Sequence, residues 1–443
     1  MRRIRSFASS TSSAGSRIDT YVNHQPDVDP AKLVPLKTIG KGCFGKVVLS
    51  KWEDELVAVK IIPKTTVEAS CLMEKIRAEL RIMKAIAASS PFLCYCRGAF
   101  QSDQVLLLAM NYASCGDLLF HLQLEGSFDE GRVRVMMMQI VLGLQHLHLR
   151  GVVHRDLKLE NILVTSEGRI QISDFGLSKF LPRLKSTSKS SRMDSVYASH
   201  LTEEPDAPMS CFPTRIFSRT SKSANSDVVW GKANTICGTP AYRAPEVIEG
   251  KEYGMEVDYW ALGCMAYECL TGWSAFRGKT LKALNKFILK DQPRLHNLRR
   301  PISTAAKKFV LALLAKDPMH RLGFGSDGAR KVRSHAFFVG DKGMTFSEVS
   351  WDHVRQLEIP ATVLLNQGGV ARNPEQANCF PEEFINLSVM EEVAVPTVPF
   401  DVEGFYRIPN FWVYDKFAKR PTPSAASTCA GPAIPSMSPP VGT

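Results

Sequence analysis

From Pro35 to Leu108 the apolar and polar positions alternate in short runs that read as strands, with one interruption. In "KVVLSKWEDELVAVKII" two Val- and Leu-rich runs flank a polar Glu-Asp-Glu break, the pattern of strand, turn and strand. The interruption, "LMEKIRAELRIMKAIAA", places Ile76, Leu80, Met83 and Ile86 or Ala87 at i, i+3 or i+4 spacing, which predicts one amphipathic helix among the strands. Beyond Tyr112 the period changes. "GRVRVMMMQIVLGLQHLHLRG" has a helical apolar face ending at Gly151. "NILVT" and "GRIQIS" then read as two strands, and Val247 to Phe338 is mostly helical. The class is therefore α+β: a small antiparallel part over about 32–112, then a larger, mainly helical part over about 113–338.

Composition bounds this picture without changing it. The 443 residues are 44% hydrophobic and 22% charged, as in an ordinary globular protein. No apolar run reaches the ~18–20 residues needed to cross a bilayer. The net charge of +11 is spread among acids, so a solvated surface is expected and nucleic acid is not. The eleven cysteines show no paired Cys-x-x-Cys spacing and read as reduced intracellular thiols. Three stretches lack periodicity and are expected to be disordered: 1–31, an insertion at about 181–231 rich in Ser, Thr, Lys, Arg and Pro, and 421–443. The Arg- and Ser-rich start also has the composition of a mitochondrial presequence, but without an amphipathic face a regulatory tail is the better reading.

Candidate chemistry begins at "TIGKGCFGKVV", where Gly40, Gly42 and Gly45 have the spacing G-x-G-x-x-G. Such a loop opens a helix in a dinucleotide site but joins two strands where it covers ATP phosphates. The strands on either side decide for the second. Ile39, Lys41, Cys43 and Phe44 complete the loop, and Val47 is placed to roof a flat base. Lys60 in "VAVK" can reach phosphate oxygens, and Glu79 on the predicted helix can hold it. In "HRDLKLEN", Asp156 would orient a substrate hydroxyl, Lys158 would neutralise the transferring phosphoryl group, and Asn161 offers an oxygen to a divalent cation. Asp174 of "DFG" would bind the cation bridging the phosphates, which hard Mg2+ favours.

With these motifs in this order the chain resembles the eukaryotic protein kinases from about Leu36 to Phe338. "APE" (Ala244–Glu246), "DYWALGC" from Asp258 and Arg321 in "KDPMHRLG" extend the resemblance. It implies the bilobal protein kinase-like fold, with ATP and Mg2+ between the lobes. It also implies a Glu246–Arg321 ion pair and a catalytic loop hydrogen-bonded to Asp258. The base would lie between Val47 and Ala58 above and Leu163 below, with Met110 as gatekeeper, Asn111, Tyr112 and Ala113 as hinge, and Asp117 beyond it. Phe175, His154, Met83 and Cys96 would stack as an internal column, with Cys96 smaller than the usual aliphatic.

Three stretches resemble the AGC serine/threonine kinases in particular. "TICGTPAYRAPE" puts Thr235 where those kinases carry an activating phosphate, with Arg155 as its expected partner. "KDPMHRLG" followed by "HAFF" resembles the end of their catalytic domain. "NCFPEEFINL" resembles their tail (339–420 here), with Phe380 the aromatic that reaches the adenine pocket. Asp117, Glu160 and Glu268 match acidic positions that receive upstream arginines of a substrate, and Thr239 belongs to the peptide platform. The chain departs from the pattern at Ala241 and Arg243, where an arginine replaces an apolar wall near the pocket for the residue after the target. It departs again in the long insertion, at Cys43, and in "VEGFYR" (Val402–Arg407), a degraded hydrophobic motif without Ser or Thr at its switch position.

The expectation is a monomeric serine/threonine protein kinase in the cytoplasm, with access to the nucleus. It would be activated at Thr235 by an upstream kinase and act on protein substrates with upstream basic residues. The alternative is a catalytically silent scaffold that binds partners through its insertion and tail.

Overall fold

The computed structural model describes residues 27–42, 45–70, 72–86, 90–184, 229–296, 298, 300–338 and 349–359. It also describes short pieces of the tail at 375, 379–380, 385, 387–389, 391–392, 401–408 and 418–419. Cys43 and Phe44, residues 1–26, most of the insertion and everything after 419 lie outside the described residues.

The small lobe is built on strands β1 (Leu33–Gly42), β2 (Gly45–Trp52), β3 (Glu55–Pro63), β4 (Cys96–Gln101) and β5 (Val105–Asn111). They form an antiparallel sheet in the order β1-β2-β3-β5-β4. Alternation along β2 and β3 sends Val48, Val57, Val59 and Ile61 into one core, with Phe100, Val105 and Leu107. Ile62, Leu106 and Leu108 face the other side, against helix α2 (Met73–Ala85), where Ile76 and Leu80 meet them. A short helix α1 (Lys64–Ser70) precedes α2 and was not expected. Its Thr, Thr and Val prolong a β-branched pattern, but Val67 is buried among Ile62, Leu72 and Ile76, and packing overrides a weak local preference.

The helical lobe surrounds α4 (Glu130–His148) and α6 (Glu256–Thr271), both buried almost all round, as befits central helices. Helix α3 (Leu118–Glu125) leads into it, and α5 (Pro245–Ile248), α7 (Leu281–Lys290), α8 (Thr304–Leu313), α9 (Gly328–Arg333) and α10 (Trp351–Arg355) follow α4. Trp260, Phe309, Phe337 and the Met136–Met138 run fill its core. On the side of the cleft lie β6 (Val152–Val153), β7 (Ile162–Val164), β8 (Ile170–Ile172) and β9 (Lys179–Phe180), paired β6 to β9 and β7 to β8.

The insertion is narrower than its composition suggests. Arg183–Leu184 (β10) and Val229–Trp230 (β11) pair antiparallel, so both ends of the 181–231 segment are tied by a short ladder. In the tail, β12 (Glu391–Glu392) pairs with β14 (Ala418–Lys419). Strand β13 (Tyr406–Arg407) adds to β4 in parallel, opposite Phe100 and Gln101.

The degraded motif is nonetheless seated. Val402 and Phe405 are buried with Leu72, Ile76 and Leu80 of the α2 region. The Gln101 amide donates to the Val402 and Phe405 carbonyls (3.0 Å each), and Val402 N donates back to Gln101 Oε1 at 2.8 Å. Lys84 of α2 donates to Gly404 O at 2.9 Å. Backbone carbonyls and two apolar side chains hold this segment, so it docks without a Ser or Thr in the motif.

Candidate active site between the two lobes

Of the three loop glycines, the fold itself demands only one. A Cβ on Gly45 would lie 1.9 Å from the Ile61 carbonyl, so β2 and β3 can pair this closely only with glycine there. At Gly40 a Cβ would touch nothing nearer than Val47 at 3.8 Å, and at Gly42 nothing nearer than Gly45 O at 4.0 Å. Those two positions therefore keep space clear over the cleft, which suits close approach of backbone to a phosphate. Beneath them Ile39, Val47, Ala58, Met110 and Tyr112 form one apolar cluster with Leu49 and Phe380. Phe380 stacks on Tyr112 at 6.0 Å between ring centroids. Leu163, on β7, is half-buried and bridges to Asp117, and Ala113 is buried. Asn111 ends β5, accepting from Tyr95 N (2.7 Å) and donating to Gln171 Oε1 (2.5 Å), which fixes the strand's exit towards the hinge.

Lys60 Nζ lies 2.6 Å from Glu79 Oε1 and 4.0 Å from Asp174 Oδ1. Burial works to lower the Lys60 pKa, but the two carboxylates outweigh it and hold the ammonium above its ordinary range. The cation is thus permanent, anchored on one side by a buried acid and facing Asp174 on the other. Asp174 has φ 60°, a left-handed backbone uncommon outside glycine. Phe175 follows it into the core and meets His154 edge-on at 5.4 Å. Met83 and Cys96 join the same core, so the four residues of the expected column belong to one packed cluster.

The catalytic loop hangs from Asp258. Its carboxylate accepts from His154 N and Arg155 N, both at 2.9 Å, and pairs with His148 Nε2 at 2.8 Å. Burial would raise this acid, but the bonds from His148 and the backbone hold its pKa below the usual carboxylate value. Asp156 is then presented with its two oxygens in different roles. Oδ1 accepts from Thr239 N and Thr239 Oγ1, each at 2.7 Å, while Oδ2 faces Lys158 Nζ at 3.7 Å. Asn161 Nδ2 donates to Asp156 O at 2.8 Å, which leaves its Oδ1 as a neutral oxygen donor. One carboxylate (Asp174), one amide oxygen (Asn161) and a nearby ammonium suit a magnesium–phosphate pair, whose remaining ligands are phosphate and water oxygens.

The acids expected to receive upstream arginines interact as well. Asp117 caps α3 through a 2.8 Å bond from Phe120 N, and burial together with nearby Glu160 lifts its carboxyl. Burial and the same Glu160 lift Glu268, opposed by a 2.5 Å bond from the Tyr242 hydroxyl. Asp117 and Glu268, both raised in part by the Glu160 charge, lie where a cation would be favoured. Other predicted residues are placed less simply. Thr235 is exposed, and Arg155 donates instead to Leu177 O (2.6 Å) and to the Tyr253 hydroxyl (3.2 Å). That hydroxyl donates to Thr235 O at 2.6 Å. Arg243 turns its guanidinium onto the Cys237 and Gly238 carbonyls and also lines the cavity beside Asp156 and Thr239.

Tyr253 and Gln101 carry contacts that no motif announced. Their partners are remote in sequence, and nothing in the residues around them marks these contacts. The large-lobe brace is the expected one: Arg321 pairs with Glu246 through two bonds of 2.6 and 2.8 Å, both side chains buried.

Comparison with known proteins agrees with this geometry. The family model described as "Protein kinase domain" matches residues 33–200 and 217–338. The chain is 32% identical over 373 residues to a RAC family serine/threonine-protein kinase homolog of Dictyostelium discoideum, covering 84% of this chain and 70% of that one. It is 33% identical over 356 residues to RAC-beta serine/threonine-protein kinase B of Xenopus laevis (78% and 61%). Ribosomal protein S6 kinase alpha-4 of Mus musculus is 33% identical over 393 residues (86% and 43%). The chain thus spans between under half and 70% of these relatives. The bilobal fold, the paired Lys60 and Glu79 and these matches together show that the chain belongs to the protein kinase domain family, among its serine/threonine enzymes.

Proposed function

We propose that the chain transfers the γ-phosphate of ATP to Ser and Thr hydroxyls of proteins with basic residues upstream of the target. It does so as a cytoplasmic monomer whose catalytic domain runs from 32 to 338, followed by a tail to about 420, and it is switched on by phosphorylation of Thr235 by an upstream kinase. One observation carries the reading: Asp156 is held on Thr239 through Oδ1 with Oδ2 left beside Lys158.

A hydroxyl arriving at Oδ2 would be oriented by Asp156 while its proton is taken, the usual work of such a carboxylate. Lys158 sits beside the developing charge. Lys60, kept in place by Glu79, grips phosphate oxygens, and Gly40 and Gly42 let the loop close upon them. Asn161 and Asp174 would hold magnesium, which would supply charge neutralisation for the phosphates. The acidic cluster of Asp117, Glu160 and Glu268 receives upstream arginines. A phosphate on exposed Thr235 would compete with Leu177 O and Tyr253 for Arg155, joining the activation segment to the catalytic loop.

Transfer from labelled ATP with magnesium onto arrayed peptides tests the proposal. Labelling of Ser and Thr peptides with upstream Arg is expected, and it should vanish in Asp174→Asn. No preference for upstream Arg would remove the role given to the acidic cluster. Thr235→Ala should lower the rate of a chain treated with its upstream kinase; an undiminished rate would remove the switch.

A further inference from the structure

Two cysteines that the sequence sets far apart meet at the hinge. Cys115 follows the hinge and precedes Gly116, while Cys379 stands in the tail, one residue before Phe380. Both side chains are buried in the core that also holds Leu118. The two stretches of backbone lie as close as glycine allows. A Cβ on Gly116, whose φ is 73°, would lie 2.2 Å from Cys379 O and 3.3 Å from Cys379 Cβ. The thiols themselves hydrogen-bond, and that bond together with burial raises the Cys379 pKa.

This contact borders the cleft. Phe380 stacks on Tyr112 and joins Ile39, Val47 and Ala58, so the residue beside Cys379 completes the apolar surroundings expected for the base. Residues 379 and 380 thus hold the tail on the lobe through two side chains, one at the hinge and one just beyond it. A disulfide needs its Cβ atoms about 3.5–4.5 Å apart, a span within reach of two thiols already in contact.

We propose that Cys115 and Cys379 form an oxidation site for hydroperoxides, whose product is a disulfide that fastens the tail across the hinge. The docked pair is shielded, so peroxide reaches sulfur while residues 379–380 are lifted, when a thiolate is accessible. That thiolate attacks the O–O bond and becomes a sulfenic acid, and the departing hydroxide takes up the thiol's proton as water. Redocking brings the second thiol to the oxidised sulfur: the S–S bond forms, the S–O bond breaks, and the oxygen leaves as a second water. Two thiols and one hydrogen peroxide give one disulfide and two waters, with two electrons passing from sulfur to peroxide. The bond goes beyond the kinase reading, since it forms whether or not phosphate is transferred. Its consequence for nucleotide, which must leave past a fixed Phe380, rests on that reading.

The test treats the full chain with hydrogen peroxide, blocks the remaining thiols and maps peptides without reduction. The expected product joins the Cys115 and Cys379 peptides, is lighter by two hydrogens than the pair of thiol peptides, and is released by dithiothreitol. The oxidised chain should release a fluorescent ADP analogue about three- to ten-fold more slowly, as removal of an open population requires. Dithiothreitol should restore fast release within the same protein, and Cys379→Ser treated alike should show no slowing. Oxidation at half-buried Cys237 with Cys115 and Cys379 still thiols would overturn the site, as would a bond from either to another cysteine. A disulfide with unchanged release would overturn the fastening. A chain that binds no nucleotide fails the kinase reading alone, and amide exchange at 379–380 then decides: slower exchange after oxidation supports the fastening, and equal exchange overturns it.

Discussion

Single side chains in this molecule are held by pairs whose members cannot be removed independently. Lys60 keeps its charge in a buried place because Glu79 and Asp174 face it. Glu79→Ala should therefore raise the KM for ATP and lower kcat together, while Glu79→Asp, too short to span the same gap, should fall between. A steady-state series in ATP checks this, and an unchanged KM would show that Lys60 positions itself. Glu246 and Arg321 are a harder case, since both side chains are buried. Glu246→Ala should cost about 3–5 kcal/mol by stranding a buried guanidinium, read as a fall in the denaturant midpoint. Residues of this kind were legible wherever one short string carries them, as His154 to Asn161 and Asp174 to Gly176 do. Arg243 stands out in the sequence as a departure, but its bonds to Cys237 and Gly238 accompany a left-handed turn at Gly238 that composition does not reveal.

Elements were legible where their periodicity was uninterrupted. The strands of the small lobe, helix α2 and helix α4 follow from apolar spacing alone. Helix α1 was not legible, because Thr65, Thr66 and Val67 continue the pattern of β3 and it is the packing of Val67 against Leu72 and Ile76 that favours a helix. The hold of the tail segment 401–408 was not legible for a related reason. Its sequence departs from the family motif, yet its hold on the small lobe comes from backbone carbonyls bonded to Gln101 and Lys84 and from buried Val402 and Phe405. The same segment touches Leu80, one residue from Glu79, so its docking bears on the catalytic pair. Phe405→Ala should weaken it by about 3 kcal/mol. Faster amide exchange over 401–408 and a lower kcat are the expected readings; faster exchange with full activity would separate the tail from catalysis.

As a whole the molecule is basic, with a net charge of +11, yet its cleft collects acids and its large lobe buries titratable groups that need not be charged. His146 is buried in α4, and burial, aided by Arg150, lowers its pKa from 6.5 to about 3. Its neutral form folds, so its share of stability is fully present above pH 6.5 and is lost as pH falls towards about 3. The slope is about 1.4 kcal/mol per pH unit at most, and His146→Gln should flatten it in a series of unfolding curves. No helix among the described residues is long and apolar enough to cross a membrane. What unites the levels is the presentation of Asp156: Asp258 suspends its loop, Thr239 fixes one of its oxygens, and the other is left for substrate. The most direct test compares the wild-type chain with Asp156→Asn for phosphate transfer to a Ser peptide with upstream arginines, with ATP affinity measured on both. The account predicts a loss of about 10²–10⁴ in kcat at unchanged ATP affinity. Equal rates in the two proteins, or a wild-type chain that binds ATP but transfers nothing once Thr235 is phosphorylated, would contradict it.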